Sequence, residues 1–379
     1  MHSALNESLG TNLDGLLDEI CFALQLTQSQ FDDAVKKYTA VGEWLSAPGS
    51  ALVDFGPDIY PQGSMLLRTT VKPRSQDEFD LDLVCLLSGC RHFGPLEVYR
   101  MVEQRLRARK NYAEILEPKG RCLRLNYAGQ FHLDIIPACS DLALGGTHLV
   151  VPDRRLKEWT CSNPKGFASW FESRCLTRER ILAEKRIEPL EPERNPNGKP
   201  PLKRTVQLMK RHRDVVFNGN GNGTGNTAAP SSVLLTTLAG EEFGGQACCS
   251  DAMQAILNGI IRRFEENPGV IMRIVNPSHP VENFAEAWSW ETYDRFRKFI
   301  YSFRTKFDRL RARLGLDEIA DSLMDLFGEE LTKRSVTALT ERVSRARESG
   351  SLRFGGATVA LTTAVSGSRL VPRNTFYGR

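Results

Sequence analysis

Apolar positions recur at helical spacing through roughly the first 50 residues. Leu13, Leu16, Leu17, Ile20 and Leu24 form one stripe, and Phe31, Ala34, Val35, Tyr38, Val41 and Leu45 a second. Two helices are predicted, ended by the turn chemistry of "SAPGS". The pattern then changes. "EFDLDLVCLL" alternates and becomes wholly apolar, as a strand does when it runs into a covered sheet. "PLEVYRMVEQRLRARK" has a helical period. "RCLRLNYAGQFHLDIIPA" predicts a hairpin: Leu123, Leu125 and Tyr127 share one face, "AGQ" turns, and Phe131, Leu133 and Ile135 return. Strand, helix and hairpin together predict a compact α/β unit.

"IEPLEPERNPNGKPP", 187–201, is rich in Pro, Asn and Glu and is expected to be an exposed connection. Helical patterns dominate the chain beyond it: "PLKRTVQLMKRHRDVVF", "PSSVLLTTLAGEEF", "AMQAILNGIIRRFEE" and "SWETYDRFRKFIYSFRTKFDRLRARLG". "NGNGNGTGN", 218–226, has the composition of a flexible loop without chemistry of its own. The last stretch, "TTAVSGSRLVPRNTFYGR", has weak periodicity and is expected to be a loose tail. The expected division is N-terminal helices over 1–50, an α/β core over 51–160, a helical region over 161–365 and a tail over 366–379.

Composition narrows the possibilities. The chain has 379 residues, 41% hydrophobic and 25% charged, enough apolar mass for a real core. A net charge of +4 gives no reason to infer nucleic-acid binding from bulk charge, so any such site must be local. No apolar run approaches the ~18–20 residues that span a bilayer. "MHSALNESLG" has neither the basic nor the apolar region of a secretory signal. Nine cysteines, among them Cys21, Cys85, Cys122 and Cys139 in apolar settings, are read as reduced core thiols of a cytoplasmic protein. The adjacent Cys248 and Cys249 have no nearby His and do not suggest zinc.

The candidate chemistry lies in carboxylates. Side chains alternate along a strand, so Asp80 and Asp82 point the same way, roughly 6.5–7 Å apart, while Phe79, Leu81 and Leu83 point into the core. Asp134 stands in the same way between Leu133 and Ile135. Three converging carboxylates repel one another, and a divalent cation resolves the repulsion. Hard oxygen donors suit Mg²⁺, with Mn²⁺ as an alternative, bound through carboxylates and substrate phosphates. The competing reading is an edge strand with a wet face. Upstream, Gly63 permits close backbone approach to a ligand, and Ser64 offers a hydroxyl to a phosphate. On the predicted helix after Pro201, Lys203, Gln207, Lys210 and Asp214 share one face, opposite a packing face of Thr205, Leu208, Met209, His212 and Val216. Lys203, Arg204 and Arg211 are expected to be solvated, and His212 to be packed.

The order "GS … DLD … LDI" resembles the nucleotidyltransferase superfamily that includes DNA polymerase beta, poly(A) polymerase and oligoadenylate synthetase. The stretches "YPQGSMLLRTTV", "DEFDLDLVCLL", "FHLDIIPA" and "PLKRTVQLMKRHRD…SSVLLTTLA" look more specifically like the bacterial cGAS/DncV-like nucleotidyltransferases, the CD-NTases of CBASS antiphage signalling. The resemblance spans about residues 10–350. It implies an α+β fold: a polymerase-beta-like core with a mixed sheet, a helical C-terminal lobe like that of poly(A) polymerase and oligoadenylate synthetase, and a bracing N-terminal helix. It implies that Asp80, Asp82 and Asp134 are catalytic metal ligands, that Gly63 and Ser64 grip a triphosphate, and that Lys210 and Ser232 contact phosphate. The implied reaction condenses nucleoside triphosphates, purines foremost, into a cyclic di- or trinucleotide that activates an effector.

Arg68 departs from the family, which often has Gly there, and "KPRSQDE" resembles a loop insertion. The absence of the zinc ribbon of animal cGAS removes the expectation of a nucleic-acid activator. Some relatives are joined through a C-terminal residue to ubiquitin-transfer-like partners, which here directs attention to Gly378, although Arg379 comes after it. Two rivals remain: transfer of NMP to RNA or protein, and a non-catalytic nucleotide-binding module. The first calls for a long basic groove with stacking aromatics. The second is favoured by loss of a metal acid, and all three acids are present.

Overall fold

The computed structural model describes residues 2–74, 78–129, 131–176, 199–218, 229–312 and 316–351, together with three short strand pieces further on. The expected connection at 187–201 lies almost wholly outside the described residues, as do most of the Gly/Asn-rich loop, part of "KPRSQDE" and most of the tail with Gly378 and Arg379.

Helix α1 (His2–Ala23) and helix α2 (Gln28–Ser46) open the chain. Between them Thr27 caps α2, accepting from the Gln30 backbone while the Gln30 side chain returns to the Thr27 N–H. The two helices serve different cores. Leu16, Leu17 and Ile20 of α1 join the apolar cluster of the helical region, whereas Val41 and Leu45 of α2 pack with the sheet. Val35, read as part of the second stripe, is exposed.

The sheet begins with β1 (Asp58–Gln62), passes through the one-turn helix α3 (Gly63–Leu66), and continues as β2 (Phe79–Leu87). Helix α4 (Pro95–Arg107) starts on a proline, whose missing N–H is not needed in a first turn. After the short α5 (Lys110–Ala113) come β3 (Leu116–Pro118), β4 (Leu123–Tyr127), β5 (Phe131–Ser140), β6 (Leu149–Asp153) and β7 (Glu158–Ser162). The order is β1-β2-β5-β4-β3, with β6 and β7 continuing from β5. All pairs are antiparallel except β2 with β5, so the sheet is mixed. Leu81 and Leu83 of β2, Leu133 and Ile135 of β5, and Val98, Val102 and Leu106 of α4 fill one side.

Cys139, at the end of β5, is joined to Cys90 by a disulfide with Cα atoms 5.9 Å apart. This corrects the reading of Cys139 as a free thiol. The turn after β2 brings Cys90 back beside its neighbouring strand, a proximity invisible over 49 residues of sequence.

Helices make the second region: α6 (Pro164–Cys175), α7 (Pro201–Asn218), α8 (Ser232–Glu242) and α9 (Cys249–Glu266), then the small hairpin β8 (Val275–Asn276) and β9 (His279–Asn283), then α10 (Trp290–Arg311), α11 (Leu316–Phe327) and α12 (Glu329–Glu348). Asn163, Ser231 and Ser289 cap α6, α8 and α10 through their side chains. Phe171, Val206, Met209, Leu235, Met253, Ile256, Phe303 and Phe307 share one core here. No helix among the described residues is long and apolar enough to cross a membrane.

Candidate active site

The parallel pairing of β2 with β5 builds the acidic face. Register places Asp82 beside Asp134 and Asp80 beside His132. Phe79, Leu81 and Leu83 are buried on the other face, so alternation leaves both β2 aspartates on the side away from the core. Asp134 is almost buried, whereas the Asp80 side chain is more than half exposed. Burial, and then the charges of Asp134 and Asp80, push the Asp82 carboxyl up to about 7.

Gly63 packs directly against Asp82. Its φ is +61°, and a Cβ there would come within 2.5 Å of Asp82 Oδ2. Only glycine satisfies both the left-handed backbone and the close approach. The chain then turns sharply: Thr69 N donates to the Ser64 carbonyl at 2.9 Å. Arg68 takes φ +57° in this turn. That is the region glycine occupies freely and other residues at about 1–2 kcal/mol, which gives the Arg68 departure a physical meaning.

The helical region completes the site. Gln207 Nε2 donates to the Thr70 carbonyl at 2.6 Å, and Lys210 Nζ lies 3.1 Å from the Thr69 carbonyl and 3.0 Å from its hydroxyl. Burial, reinforced by nearby Arg213, pulls the Lys210 ammonium down to about 7. Ser231 is the cap of α8, which makes Ser232 its first helical residue. Gly63, Ser64, Asp80, Asp82, Asp134, Lys210 and Ser232 all line one cleft of about 630 Å³.

Other expectations for α7 need correction. Lys203, Arg204 and Arg211 are not solvated. Lys203 is buried and pairs with Glu172 at 2.6 Å, Arg204 pairs with Asp18, and Arg211 Nε donates to the Phe327 carbonyl at 2.8 Å. A polar helix face is solvated only if nothing covers it, and here α7 is covered over most of residues 202–212. Val216, assigned to the packing face, is exposed. His212 is packed: its Nδ1 meets the Leu326 carbonyl at 2.9 Å and its ring lies on Phe303.

Two site residues escaped the sequence reading. Arg213 donates to Ser232 Oγ at 2.9 Å and lines the cleft. Arg124, on β4, donates through Nε to Asp134 Oδ1 and through Nη2 to Asp134 Oδ2, both at 2.7 Å, and reaches Asp80 Oδ1 at 3.1 Å. Alternation of "CLRLN" puts Arg124 on the same face as Asp134, but only the β4–β5 register sets them opposite each other.

The donor set suits a hard divalent cation. It offers three carboxylates from neighbouring strands, and Asp82, raised first by burial and then by the charges of Asp134 and Asp80, is a carboxyl that a nearby cation would hold ionised. As the side chains stand, no three His, Cys, Asp or Glu residues among the described ones converge as a metal cage, and Arg124 claims both oxygens of Asp134.

Comparison with known proteins gives this geometry a family. The model of the Second Messenger Oligonucleotide or Dinucleotide Synthetase domain matches residues 15–174. A c-di-GMP synthase of Roseivirga ehrenbergii is 32% identical over 375 residues, 97% of this chain and 98% of that protein. The chain is a cGAS/DncV-like nucleotidyltransferase. Among the family's structures, the CD-NTase CdnG of Bradyrhizobium diazoefficiens in complex with GTP aligns with a TM-score of 0.71 at 25% identity, covering 86% of this chain and 98% of that one. GTP-bound DncV of Vibrio cholerae, at 15% identity and a TM-score of 0.52 over 87% of this chain and 89% of that one, shares the fold. The mixed sheet and helical lobe are therefore the CD-NTase form of the polymerase-beta-like fold, and the chain is an enzyme of nucleotidyl transfer.

Proposed function

We propose that the protein condenses two GTP molecules into cyclic di-GMP with release of two pyrophosphates. One observation carries the reading: three carboxylates on adjacent strands share a cleft with the Gly63–Ser64 turn and with Lys210 and Ser232. The full-length similarity to a protein named as a c-di-GMP synthase supports the base.

Gly63 lets backbone N–H groups approach the triphosphate, and Ser64 adds its hydroxyl. Lys210, whose proton a neighbouring triphosphate would hold in place, would supply a positive charge to the phosphates while keeping the Thr69 turn against α7. Ser232 presents its hydroxyl at the start of α8, oriented by Arg213. Mg²⁺ or Mn²⁺ held by Asp80, Asp82 and Asp134 would supply the charge that acidifies a ribose hydroxyl and offsets that of the departing pyrophosphate. Asp134 is the proposed acceptor of the hydroxyl proton. In each of two rounds, the hydroxyl oxygen forms a bond to an α-phosphorus and the bond to the β-phosphate breaks. The cyclic product would then activate an effector in antiphage defence.

The test is incubation with all four NTPs and Mg²⁺, then mass spectrometry of phosphatase-resistant products. The expected result is one product of cyclic di-GMP mass that GTP alone suffices to form. A linear product, or NMP attached to an added RNA or to the protein, contradicts the reading.

A further inference from the structure

Strand β4 brings a cation to the acid cluster. Arg124 stands opposite Asp134 in the antiparallel register of β4 and β5, and Asp134 stands beside Asp82 in the parallel register of β5 and β2. Three neighbouring strands thus project one guanidinium and three carboxylates together. The guanidinium meets Asp134 as a fork, with two bonds of 2.7 Å, and its Nη2 also reaches Asp80 at 3.1 Å. The Asp134 side chain is only 10% exposed and that of Arg124 22%. Charge-assisted, bidentate bonds in such a setting are among the strongest a side chain makes. Arginine does not shed its proton when crowded, so the pairing does not dissolve by neutralisation.

We propose that Arg124 is the resident counter-cation of the acid cluster, holding Asp134 and Asp80 together and competing with divalent metal for their oxygens. This rests on the reading of Asp80, Asp82 and Asp134 as metal ligands. Without a cation, carboxylates on adjacent strands repel one another, and Arg124 relieves that repulsion. A divalent ion needs the same lone pairs and repels a guanidinium at contact distance. Arg124 therefore has to withdraw before Asp134 either ligates metal or accepts a proton. It is a positioning residue: it sets the threshold at which the site loads.

The test uses the full chain without nucleotide and Mn²⁺ as the probe. Binding is measured by electron paramagnetic resonance, and melting is recorded in EDTA and in Mn²⁺. Arg124→Gln is expected to bind Mn²⁺ roughly tenfold more tightly than wild type, the order of one charge-assisted bond. It is also expected to melt lower in EDTA and to gain more from Mn²⁺. Arg124→Lys keeps the charge but cannot span two carboxylates, and should fall between the two. Equal or weaker Mn²⁺ binding by folded Arg124→Gln overturns the proposal. If that variant does not fold, Arg124→Lys decides on the same criterion. Asp82→Asn, run in parallel, separates the two levels. Its loss of Mn²⁺ binding beside unchanged binding by Arg124→Gln sinks only the role of Arg124. Wild-type Mn²⁺ binding by Asp82→Asn sinks the metal reading and the role of Arg124 with it.

Discussion

Strand β2 and helix α7 meet at the same cleft with opposite charges, and they hold those charges differently. Asp80 and Asp82 are placed by a local rule: a strand of period two, buried on one side, must present alternate residues on the other. Lys210 and Gln207 are placed by a tertiary contact, since both are buried against the backbone of Thr69 and Thr70. The acid face exists once β2 is paired. The basic face becomes part of the site only when the two regions close on one another. Acid chemistry should therefore fail without loss of fold, while changes on α7 should couple binding to stability.

Removing an acid should have the greatest consequence and bears on the first half of this contrast. Asp82→Asn and Asp134→Asn should each lower pyrophosphate release from GTP by roughly a thousandfold, the order seen when a charge-stabilising group is removed from an active site. For Asp82→Asn the melting temperature should stay or rise, because a carboxylate disfavoured first by burial and then by neighbouring like charges is removed. A fall of many degrees would make β2 a structural element first and a chemical one second. Next, Gly63→Ala should cost roughly a hundredfold in activity and about 1 kcal/mol or more in stability, by urea unfolding, since the added methyl meets both Asp82 and a left-handed backbone. Unaltered activity would separate the turn from the acids. A milder change is expected at α7. Lys210→Met should raise the KM for GTP about tenfold and destabilise by about 1–3 kcal/mol, because the Thr69 carbonyl loses a donor. Lys203→Met, which removes a pairing between α7 and Glu172 of α6, should alter stability but leave KM unchanged. Equal KM changes at the two lysines would erase the distinction between them.

The same contrast explains what was legible in the sequence. Period-two alternation marks Asp80, Asp82 and Asp134 as acids on the strand faces opposite their apolar neighbours, and the glycine-serine pair upstream marks the turn packed against them. Alternation does not give register. That Asp82 lies beside Asp134, and Arg124 opposite it, comes from the pairing of β2, β5 and β4, which single strands do not encode. On α7 the wheel separates Lys203, Gln207 and Lys210 from Leu208 and Met209, yet amphipathic logic assigns a polar face to water. Here that face is inside, where Lys203 pairs with Glu172, and the flanking Arg204 and Arg211 also find partners within the fold, Asp18 and the Phe327 carbonyl. The Cys90–Cys139 link was hidden for a related reason, since sequence reports apolar surroundings and not the distance between two thiols.

If the β2 and β5 carboxylates bind the triphosphate through a divalent ion, nucleotide affinity must depend on that ion and on Asp82 together. Calorimetric titration of a non-hydrolysable GTP analogue into wild type and Asp82→Asn, in Mg²⁺ and in EDTA, reads both dependences at once. The wild type should bind tightly only in Mg²⁺, and Asp82→Asn should bind weakly and equally in both. Binding by Asp82→Asn that still depends on Mg²⁺ at wild-type strength would contradict a metal bridge between these carboxylates and the phosphates.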